Sequence, residues 1–217
     1  MNKDIGIVVM IIMVGAAFYY GYHVAKKNIR PTLATWIISF VTMSLSLWTY
    51  YCSSTHYFWS NISNVTGVVN SFLIMIITYV IIKKENLNSN KKLFKPFQIL
   101  SLKISGVIAI FWIFSTMIFG PEESSFISNI AVQILMTIAS IVLIQRMLSD
   151  SVNSEGGKGY IAWILVLIGS GLAIIPASDL LAECYAWRSF LSKFIVIAVM
   201  LSMDFKNKRL KIAFNLK

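Results

Sequence analysis

Charge is scarce in this sequence. Only 13% of its 217 residues are Asp, Glu, Lys or Arg, about half the share of a soluble domain. Acids are scarcest, 9 against 19 basic residues. The two histidines, His23 and His56, fall on opposite sides of the expected membrane, and the two cysteines, Cys52 and Cys184, match no metal-ligand spacing. There is no His-Glu-x-x-His, no Gly-x-Ser-x-Gly and no phosphate-binding glycine loop. No enzymatic constellation and no cofactor are therefore expected. What is abundant is apolar: 57% hydrophobic residues and a mean hydropathy of +0.74. That excludes a disordered chain, a coiled coil and an ordinary soluble enzyme, and the long apolar runs point to a membrane.

At about 20 residues per crossing, seven helices use roughly 140 residues. Short loops remain and no soluble domain, so any function belongs to the bundle itself. The expected spans are 5–25, 33–52, 60–82, 97–119, 125–148, 159–178 and 185–205. The first reads as a retained helix, because Met1 to Asp4 has no basic n-region. Pro31 is expected at the first turn of span two, Gly120-Pro121 as the break after span four, and Pro176 as a tolerated kink near the end of span six.

Fifteen of the 19 basic residues fall on one side: after span one, after span three, after span five and in the tail. The opposite loops hold Lys3 and Arg188 with Asp4, Glu122, Glu123, Asp179 and Glu183. The positive-inside rule then places the N-terminus outside and the C-terminus in the cytoplasm, an integral multi-pass protein of the plasma membrane, or the inner membrane in a prokaryote. Basic patches between apolar runs suit anionic lipid rather than nucleic acid.

An internal repeat is expected as well. Leu33-Ala34-Thr35-Trp36-Ile37-Ile38 resembles Tyr160-Ile161-Ala162-Trp163-Ile164-Leu165, and both follow a polar, basic loop. Span three ends in Lys83-Lys84 and span seven in Lys206-Asn207-Lys208. Spans one to three thus match spans five to seven as parallel repeats, joined by span four. The divisions are 1–96, 97–123 and 124–217.

This 3+1+3 order, with Pro31-Thr32-Leu33-Ala34-Thr35-Trp36-Ile37 opening span two, resembles the SWEET sugar transporters and their relatives, the PQ-loop and nicotinamide-riboside carriers. No Pro-Gln pair and no Trp-x-x-Trp occur, and spans one and five hold no proline, so the fold carries more of the resemblance than the substrate. The resemblance implies a solute held between the triplets, with an asparagine of span three and its partner in span seven. Aligning Lys83 with Lys206 sets Asn70 opposite Lys193.

Lys193 is expected about 12 Å below the outer end of span seven. A lysine there costs about 2.5–3.5 kcal/mol on insertion scales unless it faces protein or water; snorkelling to the outer surface is the alternative. For Asn70 the alternative is an interhelical hydrogen bond worth roughly 0.6–2 kcal/mol. Thr42 and Ser46, with Ser39 and Thr49, share one face of span two and line either a water path or a packing seam. Gln133 is a deep amide, a site member or a crosslink. Gly169, Ala173 and Ala177 read as small-residue packing. Trp36 and Trp163 read as an interfacial belt on the cytoplasmic side, and Trp48, Tyr50, Tyr51, Tyr57, Phe58 and Trp59 as the outer one. His23 and Lys103 are expected to snorkel, Asp179 and Glu183 to be solvated loop charges. Cys52 and Cys184 share the outer side, where either a disulfide or two free thiols is allowed.

The function these residues imply is a carrier for a small polar solute (a sugar, a vitamin-like molecule or an anionic metabolite), working by alternating access without ion coupling. The candidate solute-binding residues are Asn70, Lys193, Gln133, Thr42 and Ser46. Partners are the solute and the bilayer; a homo-oligomer is allowed. The alternatives are a ligand-binding or retinal protein using Lys193, and a structural subunit that moves nothing.

Overall fold

The computed structural model describes residues 2–29, 31–53, 57–84, 96–149 and 156–206. Among these the chain is all helix, without a strand: α1 (Asn2–Ala25), α2 (Leu33–Tyr51), α3 (Ile62–Lys84), α4 (Pro96–Phe119), α5 (Pro121–Ser149), α6 (Gly156–Leu172) and α7 (Leu180–Lys206). Five stretches are long and apolar enough to cross a membrane: Lys3–Ala25, Leu33–Tyr51, Ile62–Lys84, Gln98–Phe119 and Leu180–Phe205. A shorter apolar helix runs over Gly157–Leu172. The outer surface has the same character. Val107, Ile110, Phe114 and Ile118 of α4 are exposed, an apolar band that belongs against acyl chains rather than water.

Local chemistry sets the helix ends. Gly120 has φ +88, and its N–H donates to Thr116 O at 3.2 Å. This left-handed residue closes α4 at little steric cost, and Pro121, whose missing N–H is no loss at a first helical position, opens α5 at once. The expected outer loop 120–124 is thus a single residue. Pro31 lies before α2 rather than in its first turn; Thr32, with φ −95 and ψ 133, is the residue that precedes Leu33. α6 stops at Leu172, earlier than expected. The ring of Pro176 would meet the carbonyl four residues back, and Ile174 and Ile175 close the end with short bonds to Gly171 and Leu172 (3.2 Å each).

α7 begins at Leu180, five residues earlier than expected, because Asp179 caps it: Oδ1 accepts from Ala182 N at 2.8 Å. Lys193 therefore sits at the midpoint of α7, thirteen residues or about 20 Å from either end.

Successive helices run up and down. We call upper the end where α1, α3, α5 and α7 begin. There Trp59 and Ile5 pack against one cluster with Val9, and Trp112 late in α4 donates to Ser125 early in α5 (2.8 Å). At the lower end Tyr20 meets Trp36 with ring centroids 5.5 Å apart, and Tyr160 donates to Asp204 (2.7 Å). α3 packs against both α1 and α2, α7 against both α5 and α6; α1 lies on α6 and α2 on α5, while α4 leans on α5 and α2. Gly169 lets α6 approach α1: a Cβ there would stand 2.6 Å from Met13 Cγ. Ala173 joins Val9, Met13 and Ile62 in the same packing, so the small residues of this span are a packing face.

Candidate functional site

Between these helices lies a cavity of about 150 Å³, with wall residues from all seven. It runs from Ser63 and Tyr185 in the upper part to Thr32 and Gln98 at the lower end. Asn70 of α3 and Lys193 of α7 both stand on its wall, as does Thr42 of α2. No Asp or Glu does.

Asn70 is buried and half used. Its Nδ2 donates to Met13 O at 3.0 Å, while its Oδ1 has no partner. An unmet acceptor in such a place costs about 1–3 kcal/mol. Lys193 is half-buried and forms no hydrogen bond or ion pair among the described residues. Position at mid-helix and on an internal wall argues against a head that snorkels to the upper surface. Thr42 donates to Ile38 O at 2.8 Å, so only the acceptor side of its hydroxyl faces the cavity.

Gln133 and Ser46 are not on the wall. They belong to a buried polar seam beside it. Gln133 Nε2 donates to Ser46 Oγ (2.8 Å) and to Asn129 Oδ1 (3.2 Å). Asn129 Nδ2 donates to Ser46 O (2.7 Å) and Thr49 Oγ1 (3.0 Å). In the amide orientation that satisfies both its ends, Asn64 accepts from Ser46 Oγ (3.1 Å) and Leu47 N (3.2 Å) and donates to Met43 O (3.3 Å). The hydroxyl stripe of α2 is therefore divided. Ser39 and Thr42 face the cavity; Ser46 and Thr49 lie fully buried under α5 and α3.

Arg188 links the two regions. It lies on the cavity wall, its Nε donates to Gln133 Oε1 at 2.6 Å, and its guanidinium carbon stands 4.6 Å from the Tyr185 ring centroid, within cation–π range. Its Nη2 is buried without a partner. The expectation that Arg188 is an outer-loop charge is thus corrected. With α7 starting at Leu180, Arg188 is eight residues inside the helix. The cap signal, Asp179 before Leu180-Leu181, was present in the sequence. Asn129 was legible too, one turn before Gln133 on the same face.

The upper end is held by a carboxylate clasp. Asp179 Oδ2 accepts from Tyr50 OH (2.7 Å) and Ser60 Oγ (3.0 Å). Ser60 Oγ also accepts from Ser178 N (2.9 Å). These bonds tie the last turn of α2, the segment before α3 and the start of α7. Asp179 is not a free solvated charge, and Tyr50 is buried rather than part of an outer belt; Trp48, Tyr57 and Phe58 are exposed as a belt requires.

Trp36 and Trp163 also depart from the belt reading: half-buried, both line the cavity. Asn61 and Asn64, in a glycosylation pattern, are buried. His23 is buried, with Nδ1 2.9 Å from Asn28 Nδ2, rather than snorkelling, whereas Lys103 is exposed. Cys52 and Cys184 are free thiols, and burial pushes the Cys52 thiol pKa up. Among the described residues no group of three or more His, Cys, Asp or Glu gathers to hold a metal.

Comparison with protein families, with curated proteins and with solved structures finds no match for this chain.

Proposed function

We propose that the chain is a SWEET-like carrier, built as two parallel three-helix repeats joined by α4, that moves a small polar solute by alternating access. The observation that carries this reading is the cavity walled by all seven helices, with the Asp179 clasp at the upper end of the bundle. Several features support it. The neighbour pattern is the same in both triplets, with the third helix packed on the first two: α3 on α1 and α2, α7 on α5 and α6. The triplets meet through α1 with α6 and α2 with α5, the pairing expected of repeats related by an axis along the bundle. The matched tryptophans, Trp36 and Trp163, line one cavity, and so do the matched Asn70 and Lys193.

In this reading the upper end faces outward. With Arg188 inside the bundle, Lys3 is the only basic residue left in the outward group, which strengthens the positive-inside argument. The clasped form is then the one closed to the outside. Release of Tyr50 and Ser60 from Asp179 would let the triplets rock and expose the cavity above. A retinal protein is less well supported, because the wall around Lys193 holds no carboxylate counter-ion and instead a second cation, Arg188.

The test is flux. Proteoliposomes carrying the full chain are expected to take up at least one member of a broad panel of labelled sugars, vitamins and organic acids. That uptake should saturate and accelerate when unlabelled solute is inside. No saturable flux across the panel would leave the structural-subunit reading in its place. A cysteine at Glu123, exposed near the start of α5, should be labelled by an impermeant reagent in intact cells; protection there would invert the orientation.

A further inference from the structure

We infer that the cavity is an anion site: it takes a short organic carboxylate bearing a hydroxyl, with Arg188 and Lys193 on the carboxylate and Asn70 on the hydroxyl. This rests on the carrier reading for its consequence in transport, though the binding itself does not.

The argument starts from unused valences. The wall offers two cationic donors with capacity to spare, beside the neutral hydroxyl of Ser63, whose Oγ is buried without a partner. Among the described residues Lys193 has no partner, and Arg188, with Nε on Gln133, leaves Nη2 buried and unpaired. Two cations within one apolar bundle, with no acid among the described wall residues to offset them, make an empty cavity costly. A carboxylate removes that cost by accepting from both, and the planar guanidinium suits its geometry.

Neutral sugars fit less well. Two of the wall hydroxyls have given their protons to the backbone, Thr42 to Ile38 O (2.8 Å) and Ser71 to Val68 O (3.0 Å), while Ser63 Oγ stays unpartnered. A polyol would leave both charges uncompensated. The orphaned Oδ1 of Asn70 is an acceptor, so the ligand must also present one O–H or N–H. An ammonium would find no carboxylate opposite it, which favours a hydroxyl.

Size and polarity narrow the class. A cavity of about 150 Å³ matches one that in an apolar core holds a molecule like benzene. Met13, Met43 and Met136, with Trp36 and Trp163, form much of the remaining wall. A short acid with an apolar body meets all of these constraints.

Because two tryptophans face the cavity, intrinsic fluorescence of the purified full chain in detergent reports occupancy. The probes are lactate and 2-hydroxyisovalerate, their neutral amides, inorganic phosphate and glucose. A saturable response to at least one hydroxy acid is expected, at least tenfold tighter than to its amide. Arg188→Gln and Lys193→Gln should each weaken it at least tenfold. If Arg188→Gln fails to fold, Lys193→Gln, which breaks no hydrogen bond, carries the test. The inference is overturned if an amide binds as well as its acid, if glucose or phosphate binds tighter than every hydroxy acid, if no hydroxy acid gives a saturable response, or if Lys193→Gln leaves affinity unchanged. Acid binding without flux in proteoliposomes would remove the carrier and keep the anion site. Saturable flux of a neutral solute, indifferent to Lys193→Gln, would do the reverse.

Discussion

Two polar regions lie one helical turn apart in this bundle, and their hydrogen bonds are built on opposite terms. In the seam, Ser46, Thr49, Asn64, Asn129 and Gln133 engage one another at 2.7–3.2 Å. In the cavity, Asn70 Oδ1 and Arg188 Nη2 are unmatched and Lys193 is unpaired. Both regions draw on the same stripe of α2, Thr42 on one side and Ser46 on the other. The lesson is that polar residues of one helix stripe divide by whether a neighbouring helix answers them. Satisfied groups fix α2 to α5 and α3, while Asn70 Oδ1 and Arg188 Nη2 keep their hydrogen-bonding capacity unused.

The largest expected effect breaks the cavity alone. Lys193→Ala and Asn70→Ala should lower flux into proteoliposomes at least tenfold, with melting temperatures close to the parent, since neither residue has its polar capacity filled. Lys193→Arg should recover flux only in part, because the guanidinium is larger and differently shaped. Normal transport by Lys193→Ala would return the residue to a lipid-surface role.

The seam should respond in the opposite sense. Asn129→Leu strips a donor from Thr49 and Ser46 and an acceptor from Gln133. The expected loss is about 1–3 kcal/mol, read as a fall in melting temperature of roughly 3–10 °C for a chain of this size. Solute affinity in the surviving folded fraction should change little. A variant as stable as the parent would show that the seam is not a crosslink.

The clasp sharpens the comparison at the upper end. In a background with Cys52 and Cys184 replaced by serine, a reporter at Ser63→Cys should react several-fold faster with an impermeant thiol reagent once Asp179→Ala removes the carboxylate. Equal rates in the two proteins would mean that the carboxylate does not restrain the upper end.

The smallest effect concerns the residue that closes α2. Burial raises the pKa of the Cys52 thiol, so less thiolate is present at neutral pH and alkylation should be slow. With Cys184→Ser, the alkylation rate of Cys52 should rise through a midpoint at higher pH than that of free N-acetylcysteine. A midpoint at or below that of the free thiol would mean that water reaches this residue.

Part of the candidate site's wall was legible residue by residue. The basic helix ends that align Lys83 with Lys206 set Asn70 against Lys193, and the two share a wall. Gln133 and Ser46 were also singled out, yet they sit in the seam, because hydropathy marks a polar residue as exceptional without saying whether another helix answers it. Trp36 and Trp163 were assigned to the membrane interface by the same limitation. Their depth suits a belt, but the rotation that turns them inward comes from packing.

What the sequence by itself determined is local. Apolar runs, the Gly120-Pro121 break and the Asp179 cap define helices through backbone chemistry that acts within a few residues. Only the tertiary structure decided that Tyr50 and Ser60 meet Asp179 across more than a hundred residues of chain. It alone turned Arg188 toward Gln133 and left Asn70 Oδ1 unanswered. A hydrogen bond between helices depends on their rotation and relative height, which many weak packing contacts set together and no single segment encodes.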